Sequence, residues 1–318
     1  MLSLVQHQSE GVRFLRRVVD GSLVSPILLL GPEGVGRRFS VLSAVREAFC
    51  EGTRDPSCEC SACFQLSKGL NTDVFIHEAS DKDIGIDEVR SIVVEAKNYP
   101  SADFRCFIID GADRFTGPAA NAFLKTLEEP PARSRFFLLA ESADLVLPTI
   151  RSRCGAVRYN VLPEAFVLSE LLQRMGPDDD HEKALIYARM GEGSVGRAVR
   201  YWGSGRIGLR DQVIKVLQLA LERDLPALFA LVDSMEQDLP LALKFLDQVL
   251  HDVLIVRVDS RRAVNTDRVA ELIAMQGKTT VTLWSALSRK VKALQNHYRT
   301  TRLNLQFQIK TILVESFI

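Results

Sequence analysis

Two arginines close a glycine-rich loop at positions where phosphate chemistry normally needs other residues. The stretch GPEGVGRR, Gly31 to Arg38, follows the apolar run PILLL and precedes a helix-like segment. In loops of the form GxxxxGK[ST], the glycines let backbone N–H groups close around phosphates, the lysine reaches the outer phosphates and the hydroxyl holds magnesium. Here Arg37 and Arg38 take the last two places. A guanidinium binds phosphate, but a cation at position 38 offers magnesium no oxygen and repels it. We therefore interpret Gly31, Gly34, Gly36, Arg37 and Arg38 as a degenerate loop, or as a plain strand-to-helix turn.

A second apolar strand ends in a carboxylate. The run FIIDGAD, Phe107 to Asp113, is typical of the second nucleotide-binding strand, in which the last acid, Asp110, holds magnesium through water. In ATPases of this kind a glutamate usually follows and polarises the attacking water. This chain has Gly111 instead. An apolar strand that ends in Asp is also common in proteins that bind no nucleotide. Because the loop and position 111 both lack the expected residues, Asp110 is interpreted as vestigial, and ATP is not expected to bind productively.

Four of the cysteines form a sequence cluster. Cys50, Cys58, Cys60 and Cys63 read C-x7-C-x-C-x2-C. Thiolates this close together could form a tetrahedral zinc site, although one intervening residue chelates less comfortably than two. Four thiolates leave no open coordination position, so the zinc would be structural. The alternative is a set of free or partly buried thiols.

The order of apolar runs predicts the elements that must position these residues. PILLL, VFI, CFIID, RFFLLA and VRY alternate with amphipathic segments at 39–49, 87–98 and 119–127. Such alternation predicts a parallel sheet with helices on both faces. Beyond Val161 the period becomes helical, as in Leu209, Val213, Val216 and Ala220, which predicts a helical final third.

Bulk composition narrows the function classes. The chain has 318 residues, which favours two or three domains. Forty basic and forty acidic side chains balance, which argues against a surface wrapped in nucleic acid. The first residues lack a signal-peptide pattern, and no apolar run approaches the length needed to span a membrane. We expect a cytoplasmic protein that makes no membrane contact.

One ordered series of motifs resembles a known family. GPEGVGRR, the cysteine cluster, GPAANAFLKTLEEPP, the triplet Ser152-Arg153-Cys154 and GEGSVGRAV follow one another along the chain. Together they resemble the clamp-loader subunits of bacterial DNA polymerase III, in the AAA+ ATPase superfamily. NAFLKTLEEPP followed by SRC is the most specific part.

The resemblance implies a three-part architecture. It predicts an α/β RecA-like AAA+ domain at 1–160 with a zinc-binding insert at 50–63, a small helical lid at 161–204 and an all-α collar at 205–318. The collar would join the chain to gamma/tau and delta subunits in a hetero-pentameric ring. That ring places the sliding clamp on primer-template DNA, as part of a nucleotidyltransferase holoenzyme.

Departures from the family pattern decide between its ATPase and its non-hydrolysing subunits. Positions 37, 38 and 111 lack the expected residues, and Gly196 stands where the ATPase lid carries a phosphate-sensing arginine. Arg197 comes one residue later, which on a helix turns it by roughly 100°. The SRC triplet is intact, and in the family its arginine reaches the neighbour's ATP. The resemblance therefore implies a subunit without ATPase activity of its own that donates Arg153 as an arginine finger in trans, with Arg151 as a second possibility.

Three other classes remain as alternatives. An ATP-hydrolysing gamma/tau-type subunit would need both loop arginines to replace Lys and Ser/Thr. A zinc enzyme would need an open coordination position or a nearby general base. A stand-alone DNA-binding module would use the basic stretch from Arg289 to Arg302, whose apolar period also fits a collar helix with a solvated basic face.

Overall fold

The chain folds as two compact units. The computed structural model describes residues 1–23, 25–78, 83–176, 180–300 and 304–317, with the backbone alone at 299 and 300. One unit comprises Met1–Pro163 and Ser194–Gly196, and the other comprises Glu164–Gly193 and Arg197–Ile318.

The first unit is built on a parallel sheet. Its strands are β1 (Ile27–Leu30), β2 (Val74–Glu78), β3 (Arg105–Asp110), β4 (Ser134–Ala140) and β5 (Gly155–Arg158). The strand order is β2-β3-β4-β1-β5, with every pair parallel. β1, β3 and β4 are almost wholly buried because they lie in the middle of the sheet, which explains why they read as continuous apolar runs.

Helices cover both faces of this sheet. They are α1 (Ser9–Val19), α2 (Arg37–Phe49), α3 (Ser61–Ser67), α4 (Ile86–Glu95), α5 (Gly117–Glu128) and α6 (Pro148–Arg151), with short 3-10 turns at Leu2–Leu4, Ala112–Arg114 and Ala143–Leu145. Leu29 and Ile108 pack with Val41 of α2 on one face. On the other face, Leu28 packs in a core with α4 and α5, which includes Phe123. The parallel α/β sheet predicted from the alternation is confirmed.

The described part of the second unit is helical. Its helices are α7 (Glu164–Leu172), α8 (His181–Met190), α9 (Val195–Gly203, whose first two residues belong to the first unit), α10 (Ile207–Glu222), α11 (Leu225–Ser234), α12 (Leu239–Ile255), α13 (Val269–Gly277), α14 (Val281–Thr300) and α15 (Leu305–Phe317), with 3-10 turns at Glu236–Asp238, Ser260–Arg262 and Thr266–Arg268.

A buried ion network lies within this helical unit. Arg210 of α10 is almost completely buried, and its two terminal nitrogens each lie 2.8 Å from a carboxylate oxygen of Asp267. Asp211 accepts from the same guanidinium. Such a pair fixes the 3-10 turn against α10, because a buried guanidinium needs its donors satisfied. In the basic stretch from Arg289 to Arg302, Arg302 and the side chain of Arg299 lie outside the described residues.

Candidate functional site

The glycine loop lies at the carboxyl edge of the sheet, between β1 and α2. Gly31 has a φ of 151°, and a Cβ built on it would lie 2.3 Å from the Tyr159 carbonyl oxygen. Its N–H donates to the Ala140 carbonyl at 3.1 Å. The first glycine is thus required by the close approach of two backbone segments. Gly36, with a φ of 98°, leads into α2.

Arg37 is turned into the protein. It is only 6% exposed, although it opens a helix beside the loop. Its Nη1 donates to the carbonyl of Ala140, the last residue of β4. The guanidinium at the position of the expected phosphate-binding lysine therefore forms a hydrogen bond within this chain, at the end of β4.

Arg38 and Asp110 have counter-charges within the same unit. Arg38 forms an ion pair with Glu78, the last residue of β2. Burial raises the pKa of Asp110 above its ordinary value, and the positive charges of Arg37 and Arg38 partly oppose that rise. A guanidinium cannot ligate a cation, so position 38 does not supply the hydroxyl ligand that a nucleotide-bound magnesium ion uses.

A short segment from later in the chain covers the loop. Ser194 is buried and its hydroxyl donates to the Glu33 carbonyl at 2.7 Å, while the Gly196 N–H donates to the Gly34 carbonyl at 3.0 Å. A Cβ on Gly196 would lie 2.8 Å from the Gly34 Cα. At position 196, where the sequence analysis expects an arginine in an ATPase subunit, only a glycine therefore fits without displacing the loop. Its neighbour Arg197 donates instead to the carbonyls of Gly191 and Glu192.

The four cysteines predicted as metal ligands come together in space. Cys50 follows α2, Cys58 and Cys60 lie in the connecting turn, and Cys63 is on α3. Their Sγ atoms all lie within 4.8 Å of one another, with Cys50 at 3.5 Å from Cys58 and 3.9 Å from Cys60. Four sulfurs at about 2.3 Å from one zinc ion lie about 3.8 Å apart. All four are free thiols and could hold a metal ion.

Backbone donors favour ionised sulfurs in this cluster. The Cys60 N–H, with the Thr53 side chain, lowers the pKa of Cys58 to about 6. The N–H of Cys63 is the main cause that lowers the pKa of Cys60. Burial raises the pKa of Cys63 to about 12, so a metal has to displace its proton. Thiolate is the form that ligates zinc, and the lowered pKa values of Cys58 and Cys60 favour that form.

Two residues that the sequence analysis did not single out shape this cluster. A Cβ on Gly52 would lie 2.7 Å from the Cys58 Sγ, so a side chain there would displace a ligand. Arg46 on α2 donates from Nη2 to the Cys58 carbonyl at 2.8 Å, and its buried Nε has no hydrogen-bond partner among the described residues. The other two cysteines, Cys106 and Cys154, lie elsewhere, where burial raises the pKa of each.

Arg153 lies near the amino-terminal ends of the strands, whereas the loop lies at their carboxyl ends. It precedes β5, whose first residue, Gly155, pairs with Ile27 at the start of β1. The loop follows Leu30 at the other end of the same strand. Because each strand residue advances the chain by about 3.3 Å, at least about 10 Å separates these two edges. Arg153 therefore lies away from the loop of its own chain.

The guanidinium of Arg153 has defined partners. Its Nε donates to Glu128 Oε1 at 2.6 Å, and its Nη1 donates to the Thr149 carbonyl at 2.9 Å and to the Ser152 hydroxyl at 3.3 Å. Arg151, the other predicted candidate, points to the Ala143 carbonyl at 3.1 Å. Glu128 lies in the LEEPP run, and no sequence pattern links it to Arg153.

Comparison with known proteins relates the chain to subunits of DNA polymerase III. Residues 7–163 match the family described as DNA polymerase III, delta subunit. A delta' subunit from Pseudomonas aeruginosa is 30% identical over 63% of this chain and 62% of its own length. A delta' subunit from Haemophilus influenzae is 32% identical over 49% of this chain and 48% of its own length. A gamma subunit from Buchnera aphidicola is 30% identical over 53% of this chain and 48% of its own length. The chain thus spans about half to three-fifths of these relatives.

None of the helices in the described ranges is both long and apolar enough to cross a membrane.

Proposed function

We propose that this chain, which belongs to the clamp-loader family of AAA+ proteins, is a delta-prime-type subunit that hydrolyses no ATP itself and donates Arg153 to the ATP site of a neighbouring subunit. The relatives named delta' support the subunit type. The observation that carries the proposal is the charge arrangement at the two edges of the sheet.

At the loop edge, the cations are occupied by the chain itself. Arg37 donates to a backbone carbonyl and Arg38 pairs with Glu78. Gly111 offers no carboxylate to polarise a water molecule, and Gly196 offers no sensing guanidinium. Catalysis of phosphoryl transfer depends on positioned cations, a magnesium ion and an oriented nucleophile. This edge provides a loop of the right shape without those three contributions.

At the other edge, Arg153 is available to a second protein. Its side chain is 28% exposed. It lies just before β5, an edge strand of the sheet, and away from the loop of its own chain. An arginine presented in trans stabilises the charge of a phosphoryl-transfer transition state by about 10³–10⁵-fold in other systems. Arg153 would play that part for the adjacent subunit.

The cysteine cluster would hold one structural zinc ion. Cys50, Cys58, Cys60 and Cys63 would close its coordination sphere, and the ion would supply folding stability to the 50–63 insert. The thiol separations and the tight fit of Gly52 against Cys58 support this assignment.

The proposal also assigns roles to the rest of the chain. The 161–204 stretch would act as the lid, and the 205–318 stretch as the collar that joins gamma/tau and delta subunits in a five-membered ring. Through that ring, the chain would take part in loading a sliding clamp onto primer-template DNA. A subunit of this kind needs no ATP of its own, since its contribution is a rigid surface and one arginine.

Reconstitution tests both halves of the proposal. The isolated chain is expected neither to bind Mg-ATP tightly nor to hydrolyse it, whereas a gamma/tau-type subunit would do both. In a complex assembled with its ATP-hydrolysing partners, Arg153→Ala should remove the share of DNA-stimulated ATP hydrolysis that comes from the site it serves. Arg151→Ala tests the second candidate finger and should leave hydrolysis unchanged; a loss with Arg151→Ala in place of Arg153→Ala would assign the finger to Arg151. Wild-type ATPase and clamp loading with Arg153→Ala, at equal assembly, would show that the finger assignment is wrong.

A further inference from the structure

The carboxylate of Glu128 holds the side chain of Arg153. Glu128 is the last residue of α5, a helix whose start is fixed by the Thr116 side chain, which accepts from the Ala119 N–H. Its Oε1 accepts from the Nε of Arg153 at 2.6 Å and also contacts Nη2. A carboxylate on the Nε and Nη2 side of a planar guanidinium restricts its rotation as well as its position.

Two further acceptors fix the other side of the guanidinium. The Thr149 carbonyl and the Ser152 hydroxyl both accept from Nη1. Because Glu128 faces Nε and the adjacent N–H of Nη2, the second N–H of Nη2 points away from the carboxylate. The head group is thus held by Glu128 of α5, Thr149 of α6 and Ser152, and the second N–H of Nη2 takes no part in these contacts.

Open space lies beside this head group. A surface pocket of about 420 Å³ is lined by Arg153 and Glu128 together with Ser25, Pro26, Leu127 and Pro130. The rest of this lining carries no charge, so the guanidinium and its carboxylate are the ionic groups of the pocket. A phosphate group that approached here would meet an arginine whose side chain is already ordered.

We propose that Glu128 is the positioning residue for Arg153, which it holds in the orientation that reaches a neighbour's phosphate. This inference rests on the proposed function of Arg153. A long arginine side chain has many rotamers in solution, and catalysis gains when the reactive geometry is set before the reaction. Contacts to all three nitrogens supply that order and leave the second N–H of Nη2 for a phosphate oxygen.

Double-mutant kinetics on the reconstituted complex test the inference. Glu128→Ala should lower the kcat of DNA-stimulated ATP hydrolysis at the served site on the order of 10- to 100-fold, as expected for a misplaced catalytic group, with little change in KM for ATP. Glu128→Gln retains an acceptor oxygen for Nε and should keep most of the activity. In an Arg153→Ala background, Glu128→Ala should have no further effect. The neighbouring carboxylate variant Glu129→Ala is the matched control.

Each other outcome has a separate meaning. If Arg153→Ala lowers hydrolysis while Glu128→Ala leaves it unchanged or raises it, the positioning role is wrong and the finger assignment stands. If Glu128→Ala lowers hydrolysis equally with and without Arg153, Glu128 acts through the fold and the inference fails. If Arg153→Ala has no effect at all, the proposed function itself fails. Thermal unfolding of each variant chain, matched to that of Glu129→Ala, excludes losses that come from unfolding.

Discussion

The glycines of the loop offer a quantitative test of why this chain retains them. Replacing Gly31 by Ala places a Cβ 2.3 Å from the Tyr159 carbonyl oxygen and 3.0 Å from its Cβ. The Tyr159 backbone cannot move freely, because its N–H donates to the Leu30 carbonyl at 2.7 Å. The substitution therefore forces β1 and the segment after β5 apart.

The expected cost comes from two effects. Holding a non-glycine residue at the φ of Gly31 costs about 1–3 kcal/mol, and overpacking against a fixed backbone adds about 1–3 kcal/mol. Gly31→Ala should thus destabilise the first unit by about 2–6 kcal/mol. Gly36→Ala carries only the backbone cost of about 1–2 kcal/mol, since nothing lies within 4 Å of its Cβ position. Gly117→Ala meets neither penalty and should be neutral or slightly stabilising.

Hydrogen exchange of the full-length chain measures these differences in the first unit. Peptides that cover β1 and β5 report the opening of that unit, whereas both tryptophans, Trp202 and Trp284, lie in the second unit and provide an internal fluorescence control. Unit-specific signals are needed because a chain with two units need not unfold in one step. Equal protection in Gly31→Ala and Gly36→Ala would refute the close-approach argument.

Three further changes probe the cysteine cluster and the loop edge. Cys60→Ser should reduce bound zinc below one ion per chain by elemental analysis while exchange protection of the sheet persists, because the insert is short relative to the unit. Arg46→Met removes the donor to the Cys58 carbonyl and should speed zinc transfer to a chromophoric chelator, with the exposed Arg90→Met as control. Asp110→Asn should raise the free energy of unfolding at pH 7. Since burial raises the folded-state pKa of Asp110, the native state favours its neutral form, so the advantage of Asn should shrink as the pH falls through that pKa; denaturant unfolding at pH 7 and pH 4 measures the difference.

The sheet could be predicted because its strands are local signals. A strand such as β1, buried on both faces, needs an uninterrupted apolar run, and PILLL provides one. The cysteine cluster was predictable for a similar reason, since Cys50 and Cys63 are close in sequence and a short turn keeps them close in space. In both cases the information lies within one short segment.

The partners of the arginines could not be predicted in this way. Arg38 pairs with a residue forty positions later, Glu78, and Arg153 pairs with Glu128, twenty-five positions earlier. The sequence contains forty acidic residues, and local pattern does not distinguish among them. The choice depends on which strand ends and helix ends meet in the folded sheet.

Under the proposed function, these long-range partners predict that no one substitution would turn the loop into an ATP site. A lysine at position 37 would remove the guanidinium that donates to the Ala140 carbonyl, and so would leave that carbonyl with the Gly31 N–H as its remaining donor. A serine at position 38 would restore a magnesium ligand but would leave Glu78 without its counter-charge. Gly111 and Gly196 would still lack their functional side chains, and any side chain at 196 would press on Gly34. The loop arginines are therefore held by contacts on two strands, β4 and β2. Arg153, at the opposite ends of the strands, is held by α5, α6 and Ser152, so the two sites can change independently of each other.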